Sequence, residues 1–106
     1  MDFDTIKPAI TTYLANIQKH VHISRALVFG SIAKGTATPT SDIDLLIISD
    51  DFAGFDADDR SKFLYRASVG FPYDLHVYGT TTNEYLHASP LTTLGQIRNE
   101  KTISIA

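Results

Sequence analysis

Two acidic residues separated by one position stand directly before an apolar run, a setting that no other acid pair of this spacing in the chain has. Asp42 and Asp44 flank Ile43 and precede Leu45–Ile48. On a strand, side chains two positions apart point to the same side, so both carboxylates share one face. Two ionised carboxylates in that arrangement repel each other unless a proton or a cation lies between them. The pair therefore predicts a site that holds one or the other.

A turn with two glycines precedes the acidic pair in the segment Gly30-Ser31-Ile32-Ala33-Lys34-Gly35. Gly30 follows an apolar run and allows a sharp backbone turn without a Cβ clash. Ser31 and its neighbours would present free backbone N–H groups and a hydroxyl at the start of a helix, an arrangement that suits a phosphate. Gly35 permits a ligand or another chain segment to approach closely. This segment predicts a phosphate-binding turn.

A third acid, Asp74, opens the segment Asp74-Leu75-His76-Val77. If its strand lies beside the strand of Asp42 and Asp44, three carboxylates converge. Mg²⁺ prefers a few carboxylates together with substrate phosphate oxygens, and Mn²⁺ suits the same ligands. Three acids can hold two divalent ions, which clamp the attacking and leaving oxygens of an in-line displacement at phosphorus.

The spacing of the acidic pair is informative only because of the residues that precede and follow it. The same pattern occurs at Asp2/Asp4 and at Asp56/Asp58, where acids at helix starts simply offset the helix dipole. Only Asp42/Asp44 has a Gly-Ser turn upstream and an apolar strand downstream. Ser31 as a plain helix cap and Asp74 as a solvated strand-start acid remain the alternatives to their functional roles.

The elements that must position these residues alternate between helical and extended patterns. Ile6, Ile10 and Leu14 recur at helical spacing and predict a first helix. The run Leu45–Ile48 has no polar alternation, which predicts a strand in the sheet interior with helices covering both faces. Interleaved helices and strands indicate an α/β (α+β) protein with a small mixed sheet of about four strands flanked by helices.

The predicted bounds follow from turn residues and caps. The predicted strands are His22–Phe29, Asp42–Ile48, Tyr73–Tyr78 and a short edge strand, Thr102–Ile105. The predicted helices are Asp2–Lys19, a short helix entered through Gly30–Gly35, Asp56–Val69, Thr82–Ala88, and a last helix ending near Asn99, for which Ser89 is the expected N-cap and Pro90 the first residue.

Composition bounds the class of protein. The chain has 106 residues and fits one domain, 1–106, with 43% hydrophobic and 20% charged residues. The net charge of −3 argues against a dedicated DNA binder. The absence of cysteine excludes thiolate nucleophiles and cysteine-ligated metals. The longest apolar run is far too short to span a bilayer, and we see no export signal, so the cytoplasm is the expected compartment.

The motifs together resemble a known family. Gly30-Ser31, the second glycine and Ser41-Asp42-Ile43-Asp44-Leu45 look like the signature of the DNA polymerase β-like nucleotidyltransferases, in particular the small minimal nucleotidyltransferases. The resemblance covers nearly the whole chain and implies the polymerase β-like nucleotidyltransferase fold.

The resemblance also implies roles for individual residues. It implies that Asp42 and Asp44 bind two Mg²⁺ ions, and that Asp74 completes the metal-binding and catalytic triad and helps to activate the acceptor hydroxyl. The nucleotide phosphates are expected on Gly30 and Ser31, with Lys34, Gly35 and Ser41 completing the nucleotide-binding set. The chain departs from the family at His76, where an aliphatic residue is common, and at Lys34, which replaces a frequent arginine and keeps the charge without a bidentate fork.

Three functions remain open from the sequence. The first is transfer of a nucleoside monophosphate, AMP from ATP, to a hydroxyl acceptor with release of pyrophosphate. The second is an antitoxin that binds a small helical HEPN-family toxin, because the family resemblance implies such pairs and implies that some transfer AMP to the partner. The third is a nucleotide sensor without turnover. We expect a second protein or a second copy of the chain to complete the site, because 106 residues leave little to shape a base pocket.

Overall fold

The computed structural model describes residues 1–105, and its helices and strands alternate along the chain. The helices are α1 (Phe3–Gln18), α2 (Gly30–Lys34), α3 (Ala57–Arg66), α4 (Thr82–Leu86) and α5 (Thr93–Asn99), with a 3-10 helix at Asp50–Gly54. The strands are β1 (Arg25–Phe29), β2 (Ile43–Ile48), β3 (Leu75–Thr80) and β4 (Ile103–Ser104).

The strands form one mixed four-stranded sheet in the order β3-β2-β1-β4. β1 is antiparallel to both β2 and β4, whereas β2 and β3 are parallel. A parallel pair needs a crossover connection, which the 3-10 helix and α3 provide between β2 and β3. The mixed α/β fold with its short edge strand confirms the prediction from the sequence.

The two faces of the sheet are covered by different helices. One face packs against α1 and α3, and its core includes Ile43, Leu45 and Ile47 of β2 with Ile6, Ile10 and Leu64 from the helices. The other face packs against α4 and α5, and its smaller core consists of Leu27, Phe29, Leu46, Ile48, Tyr85 and Ile97. β2 therefore buries both of its faces, as its unbroken apolar run predicted.

Two strands begin two or more residues later than predicted. β1 begins at Arg25 rather than His22, since the N–H of His22 donates to the Asp51 carboxylate instead of joining the sheet. β3 runs from Leu75 to Thr80 rather than from Tyr73 to Tyr78. Its last residues, Gly79 and Thr80, continue the parallel pairing with β2.

The prediction that Ser89 and Pro90 open the last helix was wrong. α5 begins at Thr93, and the hydroxyl of Thr92 caps it by accepting from the N–H of Gly95 at 3.1 Å. The Ser89 carbonyl instead accepts from the N–H of Thr92 at 3.0 Å, in a turn before the helix. The carbonyl also packs directly on Gly95, where a side chain would have no room.

The 3-10 helix was not predicted, and α3 ends at Arg66 rather than Val69. Ser49 caps the 3-10 helix by accepting from the N–H of Asp51 at 3.2 Å. No helix within residues 1–105 combines the length and apolar character needed to cross a bilayer.

Candidate active site

The sheet face that carries α4 and α5 also carries Asp44. Asp44 lies in β2, in register with Phe29 of β1 on one side and His76 of β3 on the other. Asp42 precedes β2 by one residue and shares the parity of Asp44, so alternation places both carboxylates on one face. The contacts of both side chains with one imidazole, described next, agree with this placement.

Both carboxylates contact one imidazole. The Nε2 atom of His76 lies 3.4 Å from Oδ2 of Asp42, and its Nδ1 atom lies 3.4 Å from Oδ1 of Asp44. The Asp42 side chain is 41% exposed and that of Asp44 20% exposed, so the group opens to solvent. The sequence singles out His76 only as a departure from the family pattern, and the register of β3 against β2 brings it to the acidic pair.

Asp44 sits in an environment unfavourable to its charge. Burial raises the pKa of the Asp44 carboxyl above its ordinary value, and the negative charges of Asp42 and Glu100 raise it further. His76 opposes this shift by its charge and by hydrogen bonding. The carboxylate is therefore short of positive charge, which is the electrostatic condition expected of a cation ligand.

Gly30 packs directly on Asp44. The backbone of Gly30 has φ +68°, and a Cβ atom at this position would overlap Oδ2 of Asp44. The predicted sharp turn is present, and its glycine also makes room for a carboxylate of the acidic pair. The turn and the pair thus form one contiguous group.

The segment after Gly30 is itself helical. α2 begins at Gly30, and Phe29 occupies its N-cap position without a side-chain hydrogen bond. Ser31 lies within the first turn of α2. The alternative interpretation of Ser31 as a plain helix cap was therefore wrong. Gly35 ends the helix in the left-handed region at φ +75°, and no other part of the described chain comes within 4 Å of its Cβ position.

Lys34 and the N–H of Gly30 share an acidic partner that no local pattern indicated. Oε1 of Glu100 accepts from the N–H of Gly30 at 3.1 Å, and Oε2 lies 3.8 Å from Nζ of Lys34. Glu100 follows α5 and is separated from Gly30 by 70 positions. Only the packing of the C-terminal segment along β1 brings these residues together.

Ser41 closes the loop between α2 and β2. Its hydroxyl accepts from the N–H of Thr38 at 2.9 Å, and its own N–H donates to the Thr38 carbonyl at 3.0 Å. These contacts fix the approach of the chain to Asp42. The predicted nucleotide contact of Ser41 stays a prediction.

The backbone of Asp74 lies beside the start of β2, because its carbonyl accepts from the N–H of Ile43 at 2.8 Å. Asp74 lines a shallow cleft together with Ser41 and Tyr73. Among residues 1–105, no group of three or more His, Asp or Glu side chains that could jointly hold a metal ion is present. The role of Asp74 as a third ligand therefore stays a prediction.

A larger cleft, of about 680 Å³, lies elsewhere. Residues of α1, of the turn after it and of α3 line it, including Asn16, His20, Phe63 and Arg66. Since α1 and α3 cover the opposite face of the sheet from Asp44, this cleft is separate from the acidic pair.

The acidic pair fits a hard divalent cation by its chemistry. Oδ2 of Asp42 and Oδ1 of Asp44 face the same imidazole and leave part of their surface to solvent. Mg²⁺ is typically bound by one or two carboxylates, with water and substrate phosphate oxygens completing its shell. The two carboxylates, one of which packs against Gly30, meet that requirement.

Comparison with solved structures agrees with the fold. A provisionally assigned nucleotidyltransferase from Sulfolobus solfataricus superposes with a TM-score of 0.69 at 16% identity, covering 94% of this chain and 78% of that one. A toxin-antitoxin structure with AMP-PNP gives a TM-score of 0.63 at 18% identity, covering 89% of this chain and 69% of that one. BolA1 from Arabidopsis thaliana gives 0.55 at 15% identity, covering 72% of this chain and 94% of that one.

A search of curated proteins found no match. The family profile described as a nucleotidyltransferase domain matches residues 10–103, which include the turn, the acidic pair and Asp74. The chain therefore belongs to the nucleotidyltransferase domain family.

Proposed function

We propose that the chain transfers a nucleoside monophosphate, AMP from ATP, to a hydroxyl on a partner protein in a Mg²⁺-dependent reaction. One observation supports the proposal most: the carboxylates of Asp42 and Asp44 contact the same imidazole, and Gly30 of the turn packs on Asp44. Membership of the nucleotidyltransferase domain family supports transfer chemistry in general.

Asp42 and Asp44 would hold the metal, and Asp74 would complete the set when a nucleotide is bound. Mg²⁺, or Mn²⁺ in its place, supplies charge neutralisation at the phosphates. His76 lies between the two carboxylates and would have to turn aside or share the space. Its side chain is 58% exposed, which leaves room for that movement.

The turn residues would bind the triphosphate. The N–H of Gly30, the hydroxyl of Ser31 and the ammonium group of Lys34 offer donors to phosphate oxygens. The acceptor oxygen forms a bond to the α-phosphorus, the bond to the bridging oxygen breaks, and pyrophosphate leaves with the electron pair. The acceptor proton passes to a nearby carboxylate, for which Asp74 is our candidate. Positioning and charge neutralisation are most of what such a transfer needs.

A protein acceptor is supported by the likeness to a structure described as a toxin-antitoxin with AMP-PNP. We propose a small helical partner of the HEPN type, with a second copy of this chain as the other arrangement. Leu86 and Leu91, 57% and 91% exposed, offer apolar surface for such a contact. The same likeness favours a second candidate function, neutralisation of the partner by binding alone, with the nucleotide sensed but not turned over.

The experiment uses ATP labelled at the α-phosphate or at the γ-phosphate, with the purified chain, Mg²⁺ and candidate helical proteins. Nucleotidyl transfer puts the α-label on the acceptor and releases the γ-label as pyrophosphate, whereas phosphoryl transfer puts the γ-label on the acceptor and leaves the α-label in ADP. We expect Asp42→Asn to reduce labelling at least about a hundredfold, as expected when charge stabilisation of a transition state is removed.

Asp58→Asn is the matched control. Asp58 belongs to another acid-x-acid pair, lies in α3 with its side chain 73% exposed, and pairs with Lys62. We expect this variant to label like the wild type. Partner neutralisation that survives Asp42→Asn without labelling would favour binding alone, and γ-label on the acceptor would contradict nucleotidyl transfer.

A further inference from the structure

The phosphate-binding turn of the proposed function already holds an anion from the chain itself. The two carboxylate oxygens of Glu100 contact different groups: Oε1 accepts from the N–H of Gly30, and Oε2 pairs with Lys34. Both groups belong to the predicted nucleotide-binding set. A phosphate oxygen would need the same N–H and the same ammonium group, so the two anions compete.

Glu100 is held in place from both sides. It caps the end of α5, and its N–H donates to the Ile97 carbonyl at 3.3 Å. After it, the chain joins the sheet through the two residues of β4, and the N–H of Ile105 donates to the Ala26 carbonyl at 2.8 Å. The side chain of Glu100 is 27% exposed. The backbone is thus anchored, while the carboxylate has an open path to solvent.

Glu100 also adds negative charge where a triphosphate would add more. Its charge acts on Asp44 as well as on the turn, as the shift of the Asp44 pKa indicates. A nucleotide bound beside an unmoved Glu100 would face like-charge repulsion together with the loss of the Gly30 hydrogen bond.

We propose that Glu100 is an intramolecular competitor of the nucleotide, whose carboxylate occupies the triphosphate position on Gly30 and Lys34 and must rotate away before a triphosphate binds. This inference rests on the proposed function and adds to it a group of the chain that limits nucleotide binding. The chain without nucleotide keeps its phosphate-binding groups paired, and nucleotide affinity is lower than the turn alone would give.

The test measures the dissociation constant of ATP with Mg²⁺ by titration calorimetry for the wild type, Glu100→Gln and Glu100→Ala. Glu100→Gln keeps the shape and an acceptor oxygen but loses the charge, whereas Glu100→Ala removes both. We expect affinity to rise about threefold for the glutamine variant and about tenfold for the alanine variant. Asp58→Asn removes the same charge at a distant, exposed position and should leave affinity unchanged.

A second readout follows the amide of Gly30 directly. Protein labelled with ¹⁵N at its six glycines gives few signals, so Gly30 can be followed without full assignment of the chain. We expect Glu100→Ala to shift the Gly30 amide without nucleotide, and ATP with Mg²⁺ to shift it in the wild type. Gly54 and Gly70 should stay unmoved in both cases. Circular dichroism verifies that each variant is folded.

The outcomes separate the two proposals. Equal or weaker ATP binding by both Glu100 variants would overturn the competitor role while leaving nucleotide binding intact. Binding of no nucleotide by any variant would overturn both proposals. Binding by the Glu100 variants alone, with none detectable in the wild type, would support both.

Discussion

The α-carbon of Gly30 packs against the carboxylate of Asp44, so the turn and the acidic pair are joined by direct contact. The two residues are brought together by the antiparallel pairing of β1 with β2, in which Phe29 lies opposite Asp44. Any side chain at position 30 would displace the carboxylate. The glycine is thus required twice, once by its backbone angle and once by its neighbour.

Gly30→Ala tests this double requirement, with Gly35→Ala as its matched control. Both glycines have φ near +70°, at +68° and +75°, but only the Cβ position of Gly30 meets another group. We expect Gly35→Ala to cost about 1 kcal/mol of unfolding free energy, from backbone strain alone, and Gly30→Ala about 3 kcal/mol. Urea unfolding of both variants measures the difference, and equal costs would contradict the contact with Asp44.

Asp44→Asn should raise the melting temperature of the protein without metal. The folded-state pKa of Asp44 is raised, mainly by burial, so the ionised carboxylate disfavours folding. The penalty develops as pH rises from the unfolded value of 3.8 through the folded pKa, and it is complete above that pKa. We expect a gain of about 4 °C at pH 7.5, with the difference from wild type shrinking as pH falls toward 4.

Thermal unfolding in EDTA across that pH range provides the measurement. Asp58→Asn should show no such gain, because its carboxylate is exposed and paired with Lys62. A lower melting temperature for Asp44→Asn at pH 7.5 would contradict the unfavourable environment of the carboxylate.

The Arg60 side chain links the connection between β2 and β3, formed by the 3-10 helix and α3, to the helices on the opposite face of the sheet. Its guanidinium donates to the carbonyls of Phe52 and Phe55 at 2.8 and 3.2 Å and to the Glu84 carboxylate at 2.7 Å, and it is 15% exposed. We expect Arg60→Ala to lower the unfolding free energy by about 3 kcal/mol, since two carbonyls and a carboxylate lose a charged donor. Arg60→Lys should recover part of this loss, and a cost below that of Glu84→Gln would contradict the role of Arg60.

The contribution of Glu84 to folding stability depends on pH with the opposite sign to that of Asp44. Its hydrogen bonds with Arg60 and Thr81 hold the pKa of its carboxyl below the ordinary value of 4.5. Its stabilisation is therefore present above that value and is lost as pH falls through the folded pKa. Because its side chain is 46% exposed, we expect Glu84→Gln to cost only about 0.5–1 kcal/mol at pH 7. Urea unfolding should find this difference shrinking as pH falls below 4.5, and a difference that does not shrink would assign the effect to shape rather than charge.

Local sequence patterns predicted the elements whose cause is local. The run Leu45–Ile48 predicts a central strand because no alternation leaves a face for solvent. Asp2 and Asp56 were predicted at helix starts, and both accept from backbone N–H groups as N-caps. The prediction of the start of α5 was wrong because Thr92 caps the helix in place of Ser89. The Ser89 carbonyl instead packs on Gly95 within the helix.

In the candidate site, too, local patterns predict some features, whereas others depend on contacts between residues far apart in the sequence. The shared side of Asp42 and Asp44 follows from strand periodicity, and the positive φ of Gly30 from its place in a tight turn. The contacts of His76 with both carboxylates depend on the register of two parallel strands, which no local pattern specifies. Glu100 is 70 positions from Gly30 in the sequence, and the pairing of the edge strand β4 brings it to the turn. These two neighbours are the part of the site that the sequence could not predict.

His76→Ala should make the protein without metal less stable and more responsive to Mg²⁺. The imidazole contacts Asp42 and Asp44 at 3.4 Å each, and its removal leaves two carboxylates on one face with no group between them. We expect a melting temperature about 3 °C lower in EDTA, and a larger rise on adding Mg²⁺ than in the wild type. The double variant with Asp44→Asn should lose both effects, because one carboxylate has no neighbour to repel. A His76→Ala protein that melts like the wild type in EDTA and gains no more from Mg²⁺ would show that the imidazole does not occupy the cation position.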